Sequence, residues 1–256
     1  MLRRLVPLVA AFALVFLALP AAAQTSNGLV RVIHASPDAP AVDVFVNGER
    51  ALEGAEFRDV SNYLPLPAGE YTFQVAPAGA GVDAAVITAT ANVAAGRAYT
   101  VAAVGQLANI QGKIFNDNLS TPAAGKAHVR VLHLAPDAPA VDVKTQDDAV
   151  TLVSNLSFPN ASDYLPVDAG TYNLKVTAAG QSEAVLELDP LTLQSGGIYE
   201  ALAIGLVADG SLDVGLVAYL PGQLPGTGVA DMPAAVLAGV AVAVLASGMV
   251  LRRRWA

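Results

Sequence analysis

The sequence predicts an all-β protein built from two tandem β-sandwich domains. Three observations lead to this expectation: segments in which apolar and polar residues alternate, turn-forming residues roughly every ten positions, and a block of sequence that occurs twice. Alternation with a period of two is typical of strands that bury one face. Frequent turns between short strands favour a sandwich over a fold in which strands alternate with helices.

The repeated block is the strongest of these observations. It runs from Val30 to Val44 as VRVIHASPDAPAVDV and from Val129 to Val143 as VRVLHLAPDAPAVDV, with twelve of fifteen positions identical. Further matches at offsets of 99 to 101 pair Tyr63 with Tyr164, Tyr71 with Tyr172, Gly96 with Gly196, and Gly105 with Gly205. A fixed long period indicates two copies of one domain, at residues 29–118 and 126–219.

Individual strands can be assigned within each copy. Residues 42–46 alternate as a strand does, and Asn47-Gly48 predicts a two-residue hairpin because both central positions of that turn need positive φ. In the second copy Thr145-Gln146-Asp147 replaces Val-Asn-Gly, which leaves the turn type open. Further strands are predicted at 71–75, 99–104, 172–176 and 198–204, where β-branched and aromatic residues follow glycine-containing turns.

A tyrosine shared by both copies suggests the kind of sandwich. Tyr71 follows Gly69 by two residues, as in the tyrosine corner of immunoglobulin-like domains, where the hydroxyl group ties down a loop. We therefore expect an immunoglobulin-like or transthyretin-like sandwich with about seven strands in each copy. The only tryptophan, Trp255, lies outside both copies, and the chain has no cysteine, so neither supports membership among antibody domains.

The N-terminus has the features of a secretory signal peptide over residues 1–23. Arg3 and Arg4 form a basic start, residues 5–19 an apolar segment, and Ala21-Ala22-Ala23 a small-residue cleavage site. The apolar segment is short for a membrane span, so a removed signal is favoured over a first membrane helix. The chain is therefore predicted to be exported.

The C-terminal residues 224–256 resemble the cell-wall sorting signal of Gram-positive surface proteins. The pentapeptide Leu224-Pro225-Gly226-Thr227-Gly228 precedes the uncharged segment 232–251 and the basic tail 252–256. Twenty apolar residues in a helix match the hydrocarbon thickness of a bilayer, and the arginines after them favour a cytoplasmic C-terminus. The resemblance implies that a sortase cleaves between Thr227 and Gly228 and joins Thr227 to peptidoglycan. The alternative is a single-pass membrane anchor with a chance pentapeptide.

Composition narrows the partners of the exported part. Residues 24–227 hold nine basic and twenty-one acidic side chains, a net charge of −12, which disfavours nucleic acid and anionic lipid surfaces. The absence of cysteine means that two hydrophobic cores, rather than disulfides, must stabilise the domains.

The blocks VRVIHASPDAPAVDVFVNG, YLPLPAGEYTFQV and GRAYTVAAVG resemble the bacterial surface family known as domain of unknown function 4397. The resemblance covers both copies. It implies extracellular tandem β-domains, and it implies no catalytic residues.

Shared polar residues form one candidate site. Two carboxylates and an imidazole in each copy could hold a divalent cation or a ligand, although turn-forming Asp and Pro residues explain the same pattern structurally. The alternation of residues 42–44 predicts that Asp43 faces away from the core. The six candidates are His34, Asp38, Asp43, His133, Asp137 and Asp142.

Catalysis is not expected, and no cofactor is implied. Ser36 near His34 is replaced by Ala135 in the second copy, and the sequence contains neither a thiol nor a glycine-rich phosphate loop. We expect a non-catalytic binding or adhesion module held at the cell surface, with its ligand unknown. A structural stalk or spacer of the envelope is the alternative, and an extracellular hydrolase is the least favoured. Binding through loop aromatics would involve Tyr63, Tyr164 or Phe158, which could equally belong to the core.

Overall fold

The computed structural model describes residues 27–220, and its regular structure is almost entirely β, as predicted. Within these residues no helix is long and apolar enough to cross a bilayer. The predicted signal peptide and the predicted helix at 232–251 lie outside the described residues.

Repeat 1 comprises eight strands, one more than predicted, and two single-turn 3-10 helices at Val82–Ala84 and Leu107–Asn109. One of them, β4, is a short edge strand that pairs with β1. The strands are β1 (Asn27–Ala35), β2 (Val42–Val46), β3 (Glu49–Ala55), β4 (Leu64–Pro67), β5 (Gly69–Pro77), β6 (Ile87–Val93), β7 (Ala98–Val104) and β8 (Gln111–Asp117).

Repeat 2 follows the same order with more interruptions, and it has eleven strands where about seven were predicted. Its strands are β9 (Lys126–His133), β10 (Val141–Thr145), β11 (Thr151–Leu156), β12 (Asn160–Ala161), β13 (Leu165–Asp168), β14 (Gly170–Tyr172), β15 (Leu174–Ala178), β16 (Ala184–Glu187), β17 (Leu191–Leu193), β18 (Ile198–Ile204) and β19 (Asp213–Tyr219).

Each repeat consists of two sheets that face each other. In repeat 1 the order β4-β1-β7-β8 forms what we call the inner sheet, and β3-β2-β5-β6 forms the outer sheet. In repeat 2 the inner sheet contains β9, β18 and β19, with β12 and β13 on the free side of β9. Its outer sheet is β11-β10-β15-β16, with β14 and β17 as a separate pair. In both inner sheets the central pair, β1 with β7 and β9 with β18, is parallel.

Most of the predicted local features appear as expected, but the strand predicted at 172–176 is interrupted at residue 173, between β14 and β15. Asn47 and Gly48 have φ values of 52° and 83° and join β2 to β3 as a two-residue hairpin. The second copy instead uses a longer loop with Asp148 at φ 59°. The Tyr71 hydroxyl donates to the Pro67 carbonyl at 2.9 Å, and Tyr172 makes the same bond to Asp168. Each tyrosine therefore ties down the turn before its strand.

The two repeats pack side by side through their inner sheets. One core cluster draws Ile33, Ala102 and Phe115 from repeat 1 and Leu132 and Leu202 from repeat 2. Alternate residues of the same strands, such as Val30 and Val101, face the outer sheet of their own repeat. Each inner sheet is thus buried on both faces, and the repeats share a core.

Candidate functional site

The two shared histidines lie at the ends of β1 and β9 and are fully buried. Nε2 of His34 lies 3.1 Å from the Pro40 carbonyl, and Nε2 of His133 lies 2.9 Å from the Pro139 carbonyl. Each ring therefore closes the Pro-Asp-Ala-Pro loop that follows its strand. Burial lowers the pKa of His133, so this ring is held in its neutral form.

Asp43 and Asp142 hold two neighbouring segments by their backbone amides. Asp43 accepts from Gly54 N at 2.9 Å and Gly79 N at 3.0 Å, and Asp142 accepts from Asn155 N and Gly180 N. These amide bonds lower the pKa of both carboxyl groups. Asp43 was expected to face away from the core. It is nevertheless completely buried, because the segments that donate to it cover its side of the sheet.

Asp38 and Asp137 fix a distant turn of their own repeat. Asp38 accepts from Leu107 N at 2.7 Å, and Asp137 accepts from Val207 N and Ala208 N, both at 2.9 Å. The backbone amide that donates to Asp38 lies 69 residues away in the chain. These aspartates attach the Pro-Asp-Ala-Pro loop to the loop that follows β7 or β18.

The six predicted ligands are thus bonded to backbone groups, which is the structural alternative considered above. Within residues 27–220, no three acidic, histidine or cysteine side chains are placed to share a metal ion. The candidate loop aromatics Tyr63, Tyr164 and Phe158 are half-buried and pack against the core between the repeats.

The most unusual polar structure joins the two repeats, and sequence reasoning missed it. Arg31 of β1 is fully buried and pairs with Glu200 of β18 in the other repeat. Reciprocally, Nη1 of Arg130 in β9 lies 2.7 Å from Oδ1 of Asp117 in β8. Both carboxylate side chains are fully buried. Two ion pairs, each with one arginine and one carboxylate, therefore join the two repeats.

Hydroxyl groups complete this arrangement, which we call the inter-repeat network. Tyr63 donates to Asp117 at 2.7 Å, and Tyr164 donates to Glu200 at 2.6 Å. Arg31 donates to Thr100 at 2.8 Å and to the Tyr219 hydroxyl at 3.0 Å. Such bonds satisfy charges that would otherwise be costly to bury.

The charge states in this network follow from its surroundings. Burial alone would lower the pKa of Arg31, but the charge of Glu200, the neighbouring tyrosines and Asp117 raise it well above its ordinary value. Burial raises the pKa of Tyr63 and Tyr164, so both stay protonated and can donate. At ordinary pH Arg31 is consequently charged, and Tyr63 and Tyr164 are neutral hydrogen-bond donors.

The sequence contained one faint signal of the inter-repeat network. Arg31 and Arg130 occupy equivalent positions between valines in the repeated block. An arginine at alternate positions of a strand fits a solvent-exposed face equally well. The acidic partners differ between copies, since Thr100 of repeat 1 corresponds to Glu200 of repeat 2, so comparison of the repeats alone does not pair them.

Repeat 2 also contains a cavity of about 690 Å³ between its inner and outer sheets. Most of the residues around it are aliphatic, among them Val143, Leu174, Leu188, Ala201 and Leu216. Its size and apolar walls are those of a small-molecule site.

Comparison with known proteins confirms the predicted family of the two repeats and the predicted C-terminal anchor motif. The family model described as "Domain of unknown function (DUF4397)" matches residues 28–144 and 145–225. The model described as "LPXTG cell wall anchor motif" matches residues 221–254, which include the predicted pentapeptide outside the described residues. No curated protein matches the chain.

Among solved structures, the Bacillus anthracis TIE protein is matched at 16% identity and a TM-score of 0.20. The match covers 74% of this chain and 38% of that one, and so low a score supports no conclusion about fold or function. The family match, in contrast, covers well over half of the sequence in two adjacent segments. The chain therefore belongs to the DUF4397 family, of which it carries two tandem copies followed by a Gram-positive cell-wall anchor motif.

Proposed function

We propose that this surface-anchored protein is a non-catalytic binding module, exported by residues 1–23 and joined to peptidoglycan through Thr227 after sortase cleavage. The anchor motif supports attachment at the wall. The apolar segment 232–251 would hold the precursor in the membrane until cleavage. Each repeat would have the fold of an immunoglobulin-like or transthyretin-like sandwich.

The packing of the inner sheets is the observation that favours binding over a spacer role. Tandem domains extend a stalk when they are joined end to end. Here the repeats lie side by side and share a core that includes Ile33 and Leu202, so the second copy adds thickness rather than reach. A compact block beside its anchor suits ligand capture near the wall.

The roles of the shared polar residues support a non-catalytic function. His34, Asp43 and their counterparts in repeat 2 are bonded to backbone amides or carbonyls of their own repeat. A general base needs a nitrogen or carboxylate oxygen within reach of a substrate. In the described part of the chain, these side chains use their nitrogen and carboxylate oxygen atoms for hydrogen bonds that hold loops in place.

Mass spectrometry of the cell-envelope fraction tests the attachment. We expect a peptide that ends at Thr227 and carries a peptidoglycan stem. The Thr227→Ala variant should lose this peptide, whereas the Thr121→Ala variant, which changes an exposed threonine of the connector, should keep it. Recovery of intact residues 232–256 in the mature protein would contradict wall attachment.

Cell binding tests the second half of the proposal. A labelled fragment of residues 24–227 should bind whole cells or extracted envelope polysaccharide saturably, and unlabelled fragment should compete. Binding that increases linearly without saturation would leave the structural role as the better explanation.

A further inference from the structure

We propose that the cavity of repeat 2 binds a single alkyl chain whose head group is not anionic. This assignment rests on the proposed binding function and names the class of ligand. The cavity, of about 690 Å³, lies between two sheets that in repeat 1 pack together. Four differences between the repeats favour a cavity in repeat 2.

Two of the differences are substitutions of large side chains by small ones. The strand registers show that Leu174 of repeat 2 corresponds to Phe73 of repeat 1, and that Ala201 corresponds to Val101. Phe73 and Val101 are 1% and 3% exposed and fill the centre of repeat 1. Leu174 and Ala201 line the cavity, so the volume that they no longer fill contributes to it.

The third difference is an opening in the outer sheet. In repeat 1, β6 pairs with β5 without interruption from Gly69 to Val75. In repeat 2, the strand that corresponds to β6 is divided into β16 and β17, and Leu188-Asp189-Pro190 lies between them. This segment is one residue longer than the equivalent part of β6 in repeat 1. Pro190 has no amide hydrogen to donate to a sheet. All three residues border the cavity, which therefore reaches the surface at this break.

The fourth difference keeps the two sheets of repeat 2 apart. In repeat 1, Gly112 lies so close to β6 that a Cβ atom would be 2.8 Å from Cγ2 of Ile87. The registers of β8 and β19 place Val214 at the corresponding position of repeat 2. Val214 lines the cavity, and its side chain occupies the space in which the sheets of repeat 1 meet.

The chemistry of the walls and of the rim selects the ligand. Aliphatic walls favour a hydrocarbon chain, and the few polar groups can contact only its head group. Arg58 is the cation among the lining residues, and its Nη1 is already paired with Asp213 at 3.1 Å, while Asp189 is exposed. The remaining charge of the lining is negative and matches the acidic exported part of the chain, so an anionic head group is disfavoured.

Calorimetric titration of residues 24–227 with 1-octanol, 1-decanol and 1-dodecanol tests the assignment. This fragment contains every strand and core cluster that the structure describes. We expect the dissociation constant to fall about fourfold for each added methylene, as burial of hydrocarbon requires. Dodecanoate has the same chain with an anionic head group, and we expect it to bind about tenfold or more weakly than 1-dodecanol.

Variants that install the residues of repeat 1 provide the decisive comparison. Leu174→Phe and Ala201→Val, which we call the filled variants, each place a larger side chain in the cavity wall and narrow the space for a chain. Each should weaken 1-dodecanol binding tenfold or more while the melting temperature stays equal or rises. Val185→Ala changes an exposed apolar residue outside the cavity and should bind as the native protein does. Native melting behaviour of the filled variants shows that any loss of binding is not due to unfolding.

Four results would overturn the assignment, three of them in the titrations above. These are no binding of any alcohol, an affinity independent of chain length, and undiminished binding by both filled variants. Alcohol binding that appears only in a fragment ending at Leu220 would also overturn it, in favour of residues 221–227 as the occupant. These titrations involve neither cells nor the attachment of Thr227 to peptidoglycan. Wall attachment and cell binding are therefore tested independently of the cavity.

Discussion

Arg31 of the first repeat and Glu200 of the second form an ion pair from which solvent is excluded on both sides. The two residues are 169 positions apart in the chain, and the pair spans the boundary between two copies of one domain. Each repeat contributes one arginine and one carboxylate, and separation of the repeats would break the two closest contacts, Arg31 with Glu200 and Arg130 with Asp117. The repeats are consequently expected to behave as one structural unit.

Loss of one partner should be strongly destabilising. Glu200→Leu removes the closest carboxylate of the buried Arg31 and leaves only Asp117, at 3.7 Å from its Nε, so we expect a loss of about 3–5 kcal/mol in the free energy of unfolding, measured by urea denaturation. Glu53→Leu removes the partner of Arg50 in an exposed pair and should cost less than about 1 kcal/mol. The double variant Arg31→Met/Glu200→Leu should recover much of the loss. Equal effects of the two single variants would contradict the prediction.

Heating should unfold both repeats in a single transition. The inner sheets share one core, with Ala102 and Leu132 among its members, so neither repeat can lose its structure without exposing the other. Differential scanning calorimetry of residues 24–227 should give one peak with equal calorimetric and van't Hoff enthalpies. Two resolved peaks would show that the repeats unfold independently.

Gly112 should tolerate no side chain, in contrast to Gly215. A Cβ at Gly112 would lie 2.8 Å from Cγ2 of Ile87 and 3.3 Å from Cβ of Ala89, whereas at Gly215 the nearest atom is 4.0 Å away. Gly112→Ala should therefore lower the free energy of unfolding by about 1–3 kcal/mol through overpacking. Gly215→Ala is the matched control, and its urea midpoint should stay close to the native value. A native-like midpoint for Gly112→Ala would mean that the two sheets can move apart freely.

Stability should fall in acid because of Asp43 and Asp142. Their backbone hydrogen bonds lower the pKa of both carboxyl groups in the folded state. Their stabilisation is therefore complete above the unfolded pKa of about 4 and is lost as the pH falls through the lower folded values. Urea midpoints measured from about pH 6 to pH 2 should show this decline.

Substitution of these two carboxyl groups tests their part in that decline. Asp43→Asn/Asp142→Asn should be less stable than the native protein near neutral pH and should lose less stability in acid. Asp83→Asn, which changes an exposed aspartate, should keep the native dependence. An unchanged acid profile in the double variant would assign the dependence to other groups.

Much of the local structure could be predicted from the sequence. The repeated block, the hairpin at Asn47-Gly48 and the hydrogen bond of Tyr71 depend on residues close together in the chain, so their patterns indicate the conformation directly. The candidate site residues were harder to interpret. Alternation shows that Asp43 and Arg31 lie on one face of a strand, but it does not show what covers that face.

The sequence by itself determined the β class, the duplication and the anchor motif, because each is a property of residue order over short segments or of a fixed period. Only the tertiary structure decided that the inner sheets meet, that Arg31 pairs with Glu200, and that repeat 2 contains a cavity between its sheets. These features depend on which surfaces approach each other across about a hundred residues or more, and on small differences in side-chain volume between two otherwise similar sheets. Leu174 in place of Phe73 is a conservative change in sequence, yet it leaves space where the other repeat is filled.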